Sequence, residues 1–343
     1  MTSQRPSAPR VYLQHLAGNY PMLAREGLEL AGFFQSVAPG STVFLKPNLT
    51  FPSYRPGVMT SFECLKAVTE LLAGRGYQVM IGEADSGGYN RFSMDEVFAK
   101  VGINELARQT GARVVNISFT DPEVVRLRVG RRTLRIPLPK LLLYEVDAFI
   151  SLPVPKIHMN TMVSMSLKNQ WGCIQEPSER LKLHPYFAEV IHEVCRRLPK
   201  PYAIIDGRYG LNRSGPMSGD PVELGWLLVS NDLVAADRVG CRLMQIDEER
   251  VPYLRYFRRQ GWWTDYARIQ LSQSLEAFVK PQFYLKRAWT DYPGLCCFKS
   301  SFLAWLGYRS PLAGLAHRIL YLFRRPFYDY EGEKERVRAN RTT

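Results

Sequence analysis

One short stretch of this sequence holds most of the residues that could do chemistry. Pro153-Val-Pro-Lys156-Ile-His158-Met-Asn160-Thr161 is followed closely by Ser164, Ser166, Lys168 and Asn169, with no carboxylate among them. Two prolines stiffen the approach. Ammonium, amide and hydroxyl groups then crowd together, a donor set suited to clamping a carboxylate or a phosphate. His158 adds a group that transfers protons near neutral pH. The pattern reads as a helix from Thr161 to Lys168, whose free first N–H groups would add to the positive field. On that helix Thr161 and Lys168 would share a face.

Three further segments are of this kind. Lys46-Pro47-Asn48 sets two donors on either side of a rigid proline, suited to an anion or a carbonyl group. Gly82-Glu83-Ala84-Asp85-Ser86-Gly87-Gly88 combines glycines, whose backbone can approach a ligand and form an anion nest, with two carboxylates that could hold a hard cation such as Mg2+. It lacks the spacing of a dinucleotide-binding fingerprint. Asp206-Gly207-Arg208 leads into Asn212-Arg213-Ser214-Gly215-Pro216-Met-Ser-Gly219-Asp220, a carboxylate at a strand end before a long Gly/Pro/Ser loop. For Asp206, and for Asp237 beyond it, helix capping or a structural ion pair is the stronger alternative. His184, just before Pro185, is a further candidate base or ligand. The candidate roles are therefore catalysis for His158, His184 and Lys156. Anion binding falls to Lys46, Asn48, Thr161, Lys168, Asn169, Gly215 and Gly219, and metal binding to Glu83, Asp85 and Asp206.

These residues need elements to position them. Apolar strand patterns at 42–46, 77–81, 113–117, 148–152, 203–206 and 226–230 alternate with helical patterns at 61–74, 94–108, 187–198 and 233–244. A basic hairpin turning at Gly130 spans 124–136. Alternation on this scale implies βαβ units, hence an α/β fold with largely parallel sheets and flanking helices. The expected architecture is two α/β lobes, 11–150 and 151–250, the second carrying the main polar motifs. A disordered leader over 1–10 precedes them, and a basic, aromatic-rich, mostly helical extension over 251–343 follows. In open parallel sheets, ligands bind beyond the carboxyl ends of the strands. The polar segments lie at such ends.

Taken together, the segments resemble the domain-of-unknown-function 362 family. The carrying residues are Lys46-Pro47-Asn48, Gly82-Glu83, and Lys156-Ile-His158 leading into Leu167-Lys168-Asn169-Gln-Trp-Gly172. His184, Ile205-Asp206-Gly207, Gly215-Pro216 to Gly219, and Ala235-Ala236-Asp237 complete the match, which spans roughly residues 40–250. The resemblance implies little about activity, because the family's role is undefined. Many members look as though they carry ferredoxin-like cysteine clusters, which suggests redox work. This chain departs from that pattern: its six cysteines are scattered, so no iron–sulfur cluster is expected.

Composition narrows the partners. The net charge of +13 favours anionic ones, and residues 251–343 carry 16 Lys and Arg against 7 Asp and Glu. The N-terminus has no apolar core of a signal peptide, and no uncharged apolar run approaches a membrane span. A cytoplasmic protein with reduced thiols is expected. The leading function is an enzyme acting on a small anionic molecule, metal-assisted or redox-linked, with the cofactor unknown and a divalent metal left open. The alternatives are a non-catalytic ligand- or metal-binding accessory protein and a nucleic-acid binder using the basic C-terminal part. In that last reading, which is disfavoured, Trp262, Trp263, Tyr266 and Tyr292 would stack on bases. Ser310 and Pro311 begin a helix with Leu312, Leu315, Ala316, Ile319, Leu322 and Phe323 on one face. His317, Arg318, Arg324 and Arg325 lie on or beside the other. Packing on the body or on a homodimer partner is favoured for 311–325, with peripheral membrane contact as the alternative.

Overall fold

Runs of β-branched and aromatic residues, most followed by helices, build one large sheet in the computed structural model, which describes residues 8–86, 92–280, 283–308 and 310–323. The strands are β1 (Arg10–His15), β2 (Thr42–Pro47), β3 (Gln78–Glu83), β4 (Arg113–Asn116), β5 (Pro122–Val129) and β6 (Arg132–Pro139). They continue with β7 (Ala148–Leu152), β8 (Lys156–His158), β9 (Met162–Ser164), β10 (Pro201–Asn212), β11 (Asp220–Ser230) and β12 (Gln270–Leu271). The sheet order is β12-β1-β11-β10-β7-β2-β3-β4, with β8 pairing β10 and β9 pairing β8. β5 and β6 form the separate basic hairpin. From β10 through β7, β2 and β3 to β4 every pairing is parallel. The fold is α/β, with a largely parallel sheet flanked by helices, as the alternation implies. β7 sits between β2 and β10, so residues on both sides of position 150 share one sheet.

Side-chain alternation divides the core. Val43 and Leu45 of β2 and Ala148 and Ile150 of β7 join one apolar cluster. Phe44 and Phe149 join the other, their rings stacked at 5.6 Å. Both faces are thus buried, which is why these strands read as continuous apolar runs. Helices Tyr20–Leu30, Phe62–Gly74, Met94–Lys100 and Ile103–Thr110 supply residues to the first cluster, and Phe187–Arg197 and Leu233–Leu243 to the second. Ser61 caps its helix by accepting the Cys64 N–H at 3.3 Å, and Asp232 caps another by accepting the Ala235 N–H at 2.8 Å.

The strand order sets where a ligand can enter. From β2 the chain moves outward through β3 and β4, then returns to lay β7 on the other side of β2. The crevice at the carboxyl ends of β2 and β7 is therefore a topological switch point, the general ligand position in such sheets.

Three expectations change. The helix expected from Thr161 to Lys168 is a tight β8–β9 hairpin, and only Ser166–Asn169 is helical. Thr161 donates its N–H to His158 Nδ1 at 3.4 Å and its hydroxyl to the Val163 carbonyl at 2.9 Å. Met162 takes a left-handed φ of 72°, which breaks a helix. Thr161 and Lys168 consequently share no helical face. The strand at 226–230 is the end of an eleven-residue strand that runs antiparallel to β10, not a parallel βαβ partner. Finally, Arg10, placed in the leader, opens β1, and Pro9 accepts a hydrogen bond from Gln270 at 2.9 Å. Residues 1–7 of the leader lie outside the described residues, as do Gly87 and Gly88 of the acidic loop, Arg324, Arg325 and the rest of the chain's end.

Candidate active site at the switch point

Lys46 is the last side chain but one on β2, and it is almost fully buried. Its ammonium meets Glu83, at the end of β3, at 2.6 Å. Asn169 links the two sides of the switch point. It donates to the Lys46 carbonyl on β2 and to Ser151 Oγ on β7, both at 3.0 Å. Helix Ser166–Asn169 is held there by Asp237, which accepts the N–H groups of Ser166 at 2.6 Å and Leu167 at 3.2 Å. Burial raises the Asp237 pKa to about 7, against the pull of those donors. Gly172 explains itself sterically: a Cβ would stand 2.4 Å from Glu83 Oε1 and 2.7 Å from Lys46 Nζ.

Beside this pair lie cations without a carboxylate. Lys156, buried on β8, donates to Asn48 Oδ1 and to the Val58 carbonyl, two neutral acceptors. Burial, then the nearby Lys168 charge, lowers its pKa to about 7. Lys168 is half-buried, 5.0 Å over the Phe187 ring, and makes no hydrogen bond or ion pair among the described residues. Burial, followed by the Arg180 charge, brings its pKa to about 7 as well. Arg180 donates to the carbonyl of Asp85, while its buried Nε has no partner among the described residues.

Two imidazoles complete the cluster. His158 Nδ1 accepts the N–H groups of Asn160 at 3.1 Å and Thr161 at 3.4 Å, so its proton sits on Nε2. His184 Nδ1 stands 2.8 Å from the Arg180 carbonyl, which can only accept, so its free lone pair is on Nε2. Burial, reinforced by Lys168, drives the His184 pKa down to about 3 and holds that of His158 well below the usual histidine range. Both rings are neutral at pH 7. Phe298, from the C-terminal extension, stacks on His184 at 4.3 Å, and Trp171 meets its edge at 4.9 Å.

The tertiary structure thus gathers Lys46, Asn48, Glu83, Lys156, His158, Lys168, Asn169 and His184. Thr161 sits at the hairpin turn, where its donors serve the backbone and His158. Gly215 and Gly219 are placed differently. A Cβ on Gly215 would lie 1.9 Å from the Ile157 carbonyl, and one on Gly219 2.3 Å from the Asn212 carbonyl. Close backbone packing accounts for both glycines. The three proposed metal ligands do not converge. Glu83 answers Lys46, and the Asp85 carboxylate accepts from the Met94 N–H at 2.6 Å and the Asn116 amide at 3.1 Å. Asp206 follows Ile204 on the face of the sheet opposite Phe44 and Lys46, and accepts from the Tyr20 hydroxyl at 2.7 Å and the Ser61 N–H at 2.8 Å. Among the described residues no group of three or more His, Cys, Asp or Glu is placed to hold a metal ion.

Arg180 escapes the sequence reading. Its signal is its position four residues before His184, one helical turn away. The rings proposed to stack on bases are mostly engaged within the fold: Arg238 lies 3.8 Å over Trp263, Arg242 3.4 Å over Tyr266, and Trp262 packs on His192 at 5.0 Å.

A family model described as a domain of unknown function, DUF362, matches residues 43–242, the span that holds every titratable group of the cluster. The chain belongs to the DUF362 family. Within this family setting, a thylakoid-associated protein of a Synechocystis strain is 28% identical over 248 residues, which is 68% of this chain and 72% of its own. A solved structure of a Thermotoga maritima protein is 15% identical with a TM-score of 0.44, covering 66% of this chain and 59% of its own. The lactate racemase apoprotein of Thermoanaerobacterium thermosaccharolyticum is 13% identical with a TM-score of 0.42, covering 72% and 59%. This chain therefore spans about three fifths of each of those two structures. The DUF362 match ends before the C-terminal extension, yet that extension supplies Phe298 to the site.

Proposed function

We propose that this chain is an enzyme acting on a small anionic molecule, a carboxylate or phosphate, held where Lys156, Lys168 and Arg180 converge. Lys168 carries the reading: its half-buried ammonium has no acceptor among the described residues. Withdrawing an unpaired charge from water is costly. An anion would relieve that cost for Lys168 and engage the orphan Nε of Arg180 at the same time. It would also raise both lysine pKa values back above neutrality.

The imidazoles favour a reaction over simple carriage. His184 offers a lone pair on Nε2 and His158 an N–H on Nε2, so the site holds one proton acceptor and one donor beside the cations. A non-catalytic accessory protein would use the same cations and leave this complementary pair unexplained. A metal-assisted mechanism has less support, since Glu83, Asp85 and Asp206 each serve another partner. A reducing cytoplasm is the proposed setting: all six cysteines are free and four are buried.

The test is native mass spectrometry of the purified chain, with thermal shifts in inorganic phosphate and in simple carboxylates. Retained anion, or a melting shift with one class, that disappears in Lys168→Met supports the reading. Shifts of equal size in the wild type and in Lys168→Met would falsify it. For the catalytic part, a conversion found for the bound anion should fall at least about 100-fold in His184→Ala with binding retained.

A further inference from the structure

Exposed apolar side chains concentrate in the C-terminal extension. Of the large apolar side chains exposed among the described residues, most fall between residues 289 and 323. They include Phe302, Trp305, Leu312, Leu315, Ile319 and Leu322, the last 79% exposed. Three short helices carry them: Tyr292–Lys299, Ser301–Tyr308 and Ala313–Phe323. On the third, Leu315, Ile319 and Leu322 are spaced at four and three residues, one helical stripe. Buried Ala313 faces the protein instead. Phe323 returns to Trp289 at 5.5 Å, closing the three helices into one unit. Among the described residues of 311–325, the apolar face read from the sequence is exposed at Leu312, Leu315, Ile319 and Leu322.

Charge identifies the occupant. Residues 286–325 contain seven lysines and arginines and a single acid, Asp291, which is buried and caps the Ala288 N–H at 2.9 Å. Lys286, Arg287, Lys299 and Arg318 are exposed. A second copy of this chain would bring the same cations against one another. Nucleic acid would satisfy the charge but leave aliphatic Leu and Ile side chains without apolar partners. An anionic lipid surface satisfies both. Tryptophans near a polar–apolar boundary and arginines beside an apolar stripe are what such a surface holds. The helices are too short to cross, about 16 Å for eleven residues against a hydrocarbon core of about 30 Å. No helix among the described residues is long and apolar enough to span a membrane.

We propose that helices 292–323 dock on an anionic membrane surface, laying the Leu315–Ile319–Leu322 stripe into the lipid interface with Arg318 and its neighbouring cations on the headgroups. The same unit stacks Phe298 on His184, so the docked face and the roof of the candidate active site belong to one element. The proposal does not depend on what that site binds.

Co-sedimentation of the full chain with phosphatidylcholine vesicles, with and without about one third phosphatidylglycerol, tests it. The wild type should partition at least about tenfold more strongly onto the anionic vesicles. The Leu315→Glu, Ile319→Glu, Leu322→Glu triple variant should lose that binding about tenfold or more. All three positions are more than half exposed, so the variant's melting temperature should match the wild type. Arg318→Glu should weaken binding to anionic vesicles and leave weak binding to neutral ones unchanged. Vesicle binding that is absent, or equal in the wild type and the triple variant, overturns the proposal. So does a dimer in sedimentation velocity, or salt-sensitive binding of single-stranded DNA, that the triple variant abolishes while vesicle binding is unaffected.

Discussion

Lys46 and Glu83 meet at 2.6 Å across the ends of β2 and β3, each almost sealed from solvent. This pair consumes the acidic charge at the head of the switch point. Lys156 is left to neutral oxygens and Lys168 to no acceptor among the described residues. The positive character of the site follows from that arrangement more than from the number of lysines.

Removing one partner of the pair should therefore be severe. Glu83→Gln leaves the Lys46 ammonium buried without its counter-ion and should cost about 3–5 kcal/mol of stability. The double variant Lys46→Met, Glu83→Leu removes both charges and should recover most of that loss. Urea unfolding of the three proteins measures it. A Glu83→Gln protein as stable as the wild type would show that the pair is not desolvated in solution.

Lys168→Met should stabilise the ligand-free protein, and by an amount that depends on pH. The folded pKa of about 7 lies below the unfolded value of about 10.4. Below pH 7 the lysine is charged in both states, and the full cost of holding it charged in the fold is present. Above pH 7 the folded chain releases the proton while the unfolded chain keeps it, so wild-type stability rises towards that of the variant. The variant's advantage should be about 1–3 kcal/mol at acidic pH and shrink towards alkaline pH. Melts at both pH values, in buffers free of phosphate and carboxylate, decide the matter; an advantage that grows with pH has the wrong sign.

Asp206→Asn separates the two faces of the sheet. The substitution weakens the hydrogen bonds from Tyr20 and Ser61 and should cost about 1–3 kcal/mol. Anion binding, measured by thermal shift relative to the variant's own baseline, should stay within twofold. Loss of anion binding with little loss of stability would place Asp206 in the site after all.

Much of the site was legible because strands and their ends are local. Apolar runs mark β2, β3 and β7, and the carboxyl-end rule then selects Lys46, Asn48, Glu83 and Lys156. The crowd of donors after Pro155 adds Lys168 and Asn169, His184 stands out just before Pro185, and the cluster contains all three. Helix starts capped by their own first residues, as at Ser61 and Asp232, are local in the same way. Where the partner is distant, local reading erred. The helix at Ser166 is capped by Asp237, 71 residues away, while the nearer Thr161 serves a hairpin. Gly215 and Gly219 looked like ligand glycines, although the backbones of Ile157 and Asn212 account for them.

The amino-acid sequence by itself determined the α/β class, the strand ends and an excess of cations near them, since period, turn chemistry and composition act over a few residues. Tertiary structure alone decided that β7 returns beside β2, that Asp206 falls on the opposite face from Lys46, and that Phe298 closes over His184. Those outcomes rest on strand order and on contacts between residues far apart in the chain, and no local periodicity encodes them.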